Sequence, residues 1–258
     1  MSFMRTRLRR GIARLVLTVL PDPWIDAGLG LRFRNEFRRF QAAAGEHPRL
    51  QVRWEHRRPC LRDYAGLSAF DRHYFFHLAW AARVLAETKP AYHVDISSHV
   101  DFCAVLSAFI PTRFYEYHPL SARLENLQTG QADLLKLPFE DDSVPSLTCL
   151  HVVEHVGLGR YGDPLDVDGD LKAMVELKRV LAPGGQLLLA VPVGRPRVEF
   201  NAHRVYSYGH LTDALDGLTL KEFALIPDSP ETGDLVRNAS PALADQQEYG
   251  CGCFWTTK

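Results

Sequence analysis

The chain has 258 residues, of which 46% are hydrophobic and 24% charged, and it contains 18 Gly, 16 Pro and 5 Cys. These figures are ordinary for a globular protein and exclude the disordered, collagen-like and disulfide-rich classes. The length suits one large domain with an extension, or two small domains.

The net charge of −1 conceals an uneven distribution of charge along the chain. Residues 1–62 contain 14 Arg, no Lys and 5 acidic residues, whereas residues 63–258 contain 16 basic and 26 acidic residues. The sequence therefore predicts a basic helical N-terminal extension over 1–62 and an acidic α/β domain over 63–258. The extension either binds an anionic surface, of a membrane or a nucleic acid, or packs on the domain and neutralises it.

A basic amphipathic helix is predicted over residues 6–20, ended by Pro21. Arg14 interrupts its apolar run, which is far shorter than the roughly 20 apolar residues that span a bilayer, and no small-residue cleavage site follows. Such a helix either lies on an anionic membrane face or packs on the protein. Since the five cysteines show no disulfide framework, we expect a cytoplasmic protein, with peripheral membrane contact through 6–20 as the alternative.

Strand and helix patterns alternate along the rest of the chain. A long helix with an aromatic face is predicted over 68–88, with Ser68 as its N-cap. The strands predicted after it are 92–96, 113–117, 146–151, 186–191, 218–226 and 252–257, and the helices are 100–109 and 171–181. This alternation predicts an open, mostly parallel α/β sheet, in which ligands bind beyond the carboxyl ends of the strands.

Acidic residues stand at the ends of the first two predicted strands and in the sheet-edge segment predicted at 131–133. Asp95 closes the first strand, Glu116 closes the second, and Asp133 lies in the edge that follows. In a nucleoside-binding α/β fold, an acid at the end of the second strand can accept hydrogen bonds from both ribose hydroxyls. The three carboxylates therefore outline a nucleoside site, unless each one only caps a turn.

Two segments carry a resemblance to a known superfamily. The sequences ADLLKLPFEDDSVPSLTCLHVVEHV at 132–156 and RVLAPGGQLLLAVP at 179–192 resemble the class I S-adenosylmethionine-dependent methyltransferases. The resemblance implies a Rossmann-like sheet, mostly parallel with a C-terminal antiparallel strand, and S-adenosylmethionine as cofactor. It implies a cofactor site formed by Asp95, Ser97, Ser98, Glu116, Asp133, Leu134 and His151.

The glycine-rich loop of that superfamily is altered in this chain. Ser97, His99 and Asp101 stand at the three positions of glycine, which tolerates positive φ and close approach of a ligand at no steric cost. Two interpretations follow. The chain is a methyltransferase in which Ser97 and Ser98 hydrogen-bond the cofactor, or it is a non-catalytic, methyltransferase-like binding module that has lost the cofactor loop.

A second, narrower resemblance is to an uncharacterised methyltransferase-like family of unknown function. It rests on HVVEHVGLGRYGDPLDVDGD at 151–170, NAHRVY at 201–206 and the closing GCGCFWTTK. By association, it suggests a small-molecule or glycan-linked acceptor, with nucleic acid as the alternative. Groups at the mouth of the predicted site are then candidates for catalysis (His155, His203 and Tyr206) and for substrate contact (Arg160, Asp163 and Arg204).

Three rival motifs fail on context or spacing. The stretch from His151 to His155 matches H-x-x-E-H, but it follows a strand pattern rather than lying on the helix that this zinc motif needs. The acidic stretch 166–170 lacks the Gly and Glu of a calcium loop, and no G-x-G-x-x-G of a dehydrogenase follows the first strand. Because Cys251 and Cys253 have no second cysteine pair, no metal site is predicted.

Overall fold

The computed structural model describes residues 22–44, 52–59, 71–118 and 120–258. The chain divides into two compact units, residues 1–70 and 71–258. The helix predicted over 6–20 and the N-cap predicted at Ser68 lie outside the described residues. Within the described ranges, no helix combines the length and the apolar character needed to cross a membrane.

In the first unit, helix α1 (Asp22–Ala44) precedes a 3₁₀ turn at Trp54–His56. The ring centroids of Phe33 and Phe37 lie 6.2 and 4.9 Å from that of Trp54. These aromatic contacts join the turn to the helix.

The second unit contains the α/β sheet and its covering helices. The helices are α2 (Arg72–Thr88), α3 (Val100–Leu106), α4 (Gly169–Val180), α5 (Tyr208–Ala214) and α6 (Pro241–Asp245). The strands are β1 (His93–Ile96), β2 (Thr112–Glu116), β3 (Leu127–Gln131), β4 (Val144–Leu150), β5 (Leu181–Val193), β6 (Arg197–Glu199), β7 (His203–Val205), β8 (Thr219–Ile226), β9 (Val236–Arg237) and β10 (Gly250–Thr257).

Eight strands form one sheet in the order β3-β2-β1-β4-β5-β10-β8-β9, and β6 pairs with β7 in a separate hairpin. The first five strands in this order, from β3 at the edge to β5, run parallel to one another. Strand β10 lies between β5 and β8 and is antiparallel to both. The predicted fold class, mostly parallel with a C-terminal antiparallel strand, is confirmed. Because the parallel strands share one direction, their carboxyl ends meet at one edge of the sheet.

The sheet is covered on both faces, as a parallel sheet requires. On one face, α4 packs Met174 and Leu177 against the buried strand residue Leu147. On the other face, α2 packs Trp80 and Leu85 into a second apolar cluster. These two layers fix the central strands and leave their carboxyl ends free to carry a site.

Two boundaries differ from the predicted ones for local reasons. Helix α2 begins at Arg72, where Asp71 Oδ1 accepts a hydrogen bond from the Tyr74 N–H at 3.2 Å. Helix α4 ends at Val180, one residue before the predicted end, and residues 183–185 lie within β5. The N–H of Gly184 donates to the carbonyl of Lys258 at 2.9 Å, so this segment serves pairing with the chain end.

Candidate functional site

A cavity of about 150 Å³ lies beyond the carboxyl ends of the parallel strands. Open α/β sheets bind their ligands at this edge. The lining residues are Ser97, Glu116, Tyr117, His118, Ala132, Asp133, Leu134, Leu135, His151, Val152, His155, Val156, Tyr161, Asp163 and Pro164. Of the thirteen residues predicted for the site, the cavity brings together Ser97, Glu116, Asp133, Leu134, His151, His155 and Asp163.

The turn after β1 has the geometry of a glycine turn without a glycine. Ser97 has φ +56, in the left-handed region that favours glycine. Its N–H and its hydroxyl both donate to the Tyr115 carbonyl, at 2.8 and 3.1 Å. These two bonds to the neighbouring strand hold the serine in that conformation.

Asp95 and Ser98 support this turn from beneath and do not line the cavity. Asp95 is fully buried; its Oδ1 accepts the Ser98 N–H at 3.0 Å and its Oδ2 accepts the Thr148 hydroxyl. Burial raises the pKa of Asp95 to about 6, although these hydrogen bonds oppose the shift. The Ser98 hydroxyl oxygen accepts the Leu150 N–H at 3.0 Å, which ties the turn to β4.

Two acids face the cavity from adjacent strands. Glu116 ends β2 half-buried, and its carboxylate makes no hydrogen bond to any residue in the described part of the chain. The N–H of Ala132 donates to the Glu116 carbonyl at 3.1 Å, which brings the segment after β3 alongside. Asp133 follows there, with Oδ1 accepting the Leu135 N–H at 2.9 Å. Among the described residues, the edge therefore offers Glu116 without a hydrogen-bond partner and Asp133 with one carboxylate oxygen engaged.

His155 is held as a neutral imidazole at the cavity wall. Its Nδ1 donates to the carbonyl of Ala202 at 2.6 Å, which leaves Nε2 without the ring proton. Burial lowers the pKa of His155, and the nearby Glu154 carboxylate only partly opposes this. Nε2 lies 3.7 Å from Glu154 Oε1 and is the ring nitrogen that can accept a proton.

A second loop, residues 156–168, follows His155 and is ordered by Asp163. Its carboxylate accepts the N–H groups of Gly157, Gly159 and Tyr161 at 2.7, 3.3 and 3.1 Å. Burial alone would raise the pKa of Asp163, but these three donors outweigh it and hold the pKa below its usual value. Most of the acceptor capacity of Asp163 thus serves the loop.

Arg204 and Tyr206 lie outside the cavity and are buried. The guanidinium of Arg204 donates to the carbonyls of Val156 at 2.7 Å and Asp166 at 3.2 Å, and its Nε lies 3.5 Å from Asp170 Oδ1. The Tyr206 hydroxyl donates to Asp170 Oδ2 at 2.9 Å, and burial raises the pKa of this phenol. Through these contacts, Arg204 and Tyr206 both stabilise the loop that follows His155.

Arg160 and His203 lie beside His155 but do not line the cavity either. Arg160 is exposed, and its guanidinium donates to the Ala202 carbonyl at 3.2 Å. His203 Nε2 lies 3.2 Å from Glu199 Oε2, and its ring centroid is 6.4 Å from that of His155.

A group of rings from α2 packs against His151, and none of these rings was predicted to lie at the site. The ring centroids of His73, Tyr74 and His77 lie 5.3, 5.6 and 5.0 Å from that of His151. Burial lowers the pKa of His73 to about 4, helped by His151, and lowers that of His77 well below its usual value. The helical spacing of His73 and His77 is the signal that could have revealed this group.

One family model matches part of the chain. The model of a family described as "Caenorhabditis protein of unknown function, DUF268" matches residues 142–224. This range includes the loop after His155 and the β6–β7 hairpin. A search of curated protein sequences finds no match.

Solved structures with this fold include methyltransferases. The N-methyltransferase NodS of Bradyrhizobium japonicum WM9, in complex with S-adenosylhomocysteine, is 14% identical with a TM-score of 0.51, over 75% of this chain and 90% of its own. The 1,6-didemethyltoxoflavin-N1-methyltransferase of Burkholderia thailandensis is 11% identical with a TM-score of 0.48, over 71% and 78%. The likeness to NodS shows a Rossmann-like α/β fold of the kind found in methyltransferases.

Proposed function

We propose that this protein is an S-adenosylmethionine-dependent methyltransferase whose cofactor binds in the cavity at the strand ends. The observation that carries the proposal is the carboxylate of Glu116. It stands at the end of the second strand, where nucleoside-binding α/β folds accept ribose hydroxyls, and it has no partner among the described residues. Two hydroxyl donors would satisfy it with charge-assisted hydrogen bonds.

The remaining cofactor contacts follow from the other lining residues. Asp133 has one carboxylate oxygen free for an exocyclic amine, and Leu134 supplies an apolar wall for a base. The turn at Ser97 lies nearest to the methionine part, with Asp95 and Ser98 positioning it. In this assignment His151 contributes to the wall only, because both of its ring nitrogens face protein groups.

The cavity is small for a whole cofactor. Its 150 Å³ lies below the roughly 300–1,000 Å³ of typical small-molecule sites. His118 Nε2 donates to the Tyr161 carbonyl at 3.0 Å, which joins the two sides of the cavity wall. We expect this contact to break when the site fills.

When bound, the cofactor supplies a methyl group on a sulfonium sulfur, and the protein supplies position and a base. Ser97, Glu116 and Asp133 would hold the cofactor, whose sulfonium chemistry would provide the methyl group for an acceptor oxygen, with S-adenosylhomocysteine as the other product. His155 takes the acceptor's proton at Nε2, since Nδ1 already carries the ring proton. The proposed acceptor is a hydroxyl on a small molecule or a glycan-linked group, contacted at the rim by Arg160.

Four residues predicted for catalysis or substrate contact have structural roles in this proposal. Arg204 and Tyr206 hold the loop through buried bonds, and His203 lies behind His155. Asp163 touches the cavity but serves the loop with its carboxylate.

A second candidate function is a binding module without catalysis, and Asp101 favours it. This residue lies in the first turn of α3, 86% exposed, where the superfamily has glycine. A negative charge there would repel a carboxylate of the cofactor's methionine part.

Methyl-labelled S-adenosylmethionine tests the two candidates together. The purified protein is incubated with small-molecule, glycan and nucleic-acid fractions of its source cells, and its thermal stability is measured with S-adenosylhomocysteine. The methyltransferase proposal predicts label in the small-molecule or glycan fraction and stabilisation by the product. Stabilisation without any label supports the module, and label in nucleic acid moves the acceptor to that class. No stabilisation at millimolar product contradicts a cofactor site.

A further inference from the structure

Three potential metal ligands converge next to the cavity from distant parts of the chain. His73 lies on α2, His151 follows β4 and Cys251 lies in β10, and one donor atom from each lies within 4.8 Å of the others. His151 Nε2 lies 3.2 Å from Cys251 Sγ. Two donors on one tetrahedral zinc ion are roughly 3.3–3.8 Å apart, given bonds of about 2.0–2.3 Å. Small side-chain rotations would therefore bring the three donors to binding distance.

A buried carboxylate orients the central histidine of this cluster. His151 Nδ1 lies 2.9 Å from Glu154 Oε1, and Glu154 is fully buried. Metal-binding histidines usually donate their second ring N–H to such a carboxylate, which leaves the other nitrogen for the ion. Here that nitrogen is Nε2, on the side of Cys251.

Glu154 carries a second observation that favours a cation beside His151. Its Oε2 is buried and has no hydrogen-bond partner among the described residues. A buried carboxylate is costly unless a positive charge lies close to it. A divalent ion bound to the Cys251 thiolate keeps one positive charge, which the carboxylate would balance.

His77 is an independent sign of an additional ligand at this cluster. It is 0% exposed, and within the described ranges neither of its ring nitrogens has a hydrogen-bond partner. Its ring centroid lies 5.0 Å from that of His151. Buried polar side chains with no partner are rare and often mark a bound ion or solvent ligand.

We propose that His73, His151 and Cys251 bind a transition-metal ion of the zinc class, with Glu154 as the positioning residue for His151. Two imidazoles and a thiolate select such an ion over magnesium or calcium, which take oxygen ligands. Three protein ligands leave a fourth position for water or a substrate atom.

This site differs from the H-x-x-E-H and cysteine-pair patterns weighed in the sequence. His155, the second histidine of the H-x-x-E-H pattern, donates its Nδ1 proton to Ala202 and is not part of the set. Cys253 also lies outside the set, with its Sγ 4.0 Å from that of Cys251. The proposal replaces the predicted absence of a metal, and it does not depend on whether the cavity binds S-adenosylmethionine.

The test uses the full chain, stripped with a chelator and titrated with Co²⁺ by absorption spectroscopy and with Zn²⁺ by calorimetry. We expect one equivalent to bind, with a thiolate-to-cobalt charge-transfer band. Cys251→Ser should abolish the band, whereas the matched control Cys253→Ser, on the same buried strand, should keep it. Glu154→Gln should weaken Zn²⁺ binding by about 10- to 100-fold, the range for residues that orient a ligand.

His73→Gln gives a second arm that does not change a cysteine. It should keep the charge-transfer band at saturation but lower the Zn²⁺ affinity at least as much as Glu154→Gln does, and circular dichroism of each stripped variant checks folding. Failure of the wild-type chain to bind either ion overturns the proposal. A band that survives in Cys251→Ser, or disappears only in Cys253→Ser, overturns it equally.

Discussion

Nδ1 of His155 lies 2.6 Å from the carbonyl oxygen of Ala202, the residue that precedes β7. The β6–β7 hairpin therefore fixes the tautomer of the imidazole. Because the ring proton is committed to this bond, Nε2 is left as the acceptor nitrogen, 3.7 Å from Glu154 Oε1. The base of the proposed reaction is thus set by a contact between residues that the chain separates widely.

Replacement of His155 by Asn should separate binding from chemistry. The Asn amide can still donate to the Ala202 carbonyl, but it offers no base at the position of Nε2. We expect turnover with labelled S-adenosylmethionine to fall by about 10²- to 10⁴-fold, with little change in cofactor affinity. His203→Asn, outside the cavity, is the control and should retain most of the activity. Equal losses in both variants would argue against His155 as the base.

The buried Asp95 should leave a signature in the pH dependence of stability. Burial raises its pKa from 3.8 to about 6, so the folded chain holds this proton more tightly than the unfolded chain does. Its contribution to the free energy of unfolding is present below about pH 4 and is lost as the pH rises to 6. At about 1.4 kcal/mol per pKa unit, the loss is about 3 kcal/mol.

Urea unfolding of Asp95→Asn between pH 4 and 7 measures this contribution. The variant should lose less stability than the wild type as the pH rises, because the amide has no proton to release. Asp101→Asn, at an exposed position, should follow the wild-type profile. Parallel profiles for the wild type and Asp95→Asn would refute a raised pKa at Asp95.

Local sequence patterns predicted the strands that are buried on both faces. They missed strands that are mostly exposed and form only by pairing with a neighbouring strand. Strands β4 and β5 appear in the sequence as apolar runs because both of their faces are covered. Strand β3 was not predicted because only Leu127 in it is buried. Its Gly130 leaves room for the Tyr115 ring, to which an added Cβ would approach within 2.7 Å.

The residues of the site also divide into those that a sequence rule predicts and those whose roles depend on contacts between distant segments. The rule that ligands lie at strand ends grouped Glu116 and Asp133 with Asp95, because it needs only the order of strands, although Asp95 lies beneath the turn and not in the cavity. Ser97 was named from the superfamily resemblance. The roles of Arg204 and Tyr206 depend on a hairpin that folds back under the loop, and no local pattern encodes that contact. The meeting of His73 with Cys251 likewise depends on α2 packing beside the last strand.

Gly157 and Gly162 offer a matched pair that tests the tight loop after His155. Both have positive φ, +82 and +81, but a Cβ on Gly157 would lie 2.1 Å from the Asp166 carbonyl, whereas one on Gly162 meets nothing within 4 Å. Gly162→Ala should cost about 1 kcal/mol of unfolding free energy, the penalty of left-handed backbone alone. Gly157→Ala should cost clearly more, because the loop must also move. Thermal unfolding compares them, and equal costs would contradict the close approach.

The buried ion pair of Arg204 and Asp170 should matter far more than a surface pair. Removal of the guanidinium takes the positive charge away from the buried Asp170, which keeps only the Tyr206 hydroxyl as a donor, and it leaves several loop carbonyls without this donor. We expect Arg204→Met to lower the free energy of unfolding by about 3–5 kcal/mol. Arg195→Met breaks an exposed pair with Glu248 and should cost at most about 1 kcal/mol. Denaturant titration measures both, and a small effect at Arg204 would remove its role as the support of the loop.

Calorimetric titration with S-adenosylhomocysteine tests the cofactor site most directly. The wild-type chain should bind one equivalent, and Glu116→Ala should weaken binding by roughly 10- to 150-fold, because charge-assisted hydrogen bonds contribute about 1.5–3 kcal/mol. Glu125→Ala removes an exposed acid outside the cavity and should leave the affinity unchanged. Binding that is absent in the wild type, or unaffected by Glu116→Ala, would contradict the account.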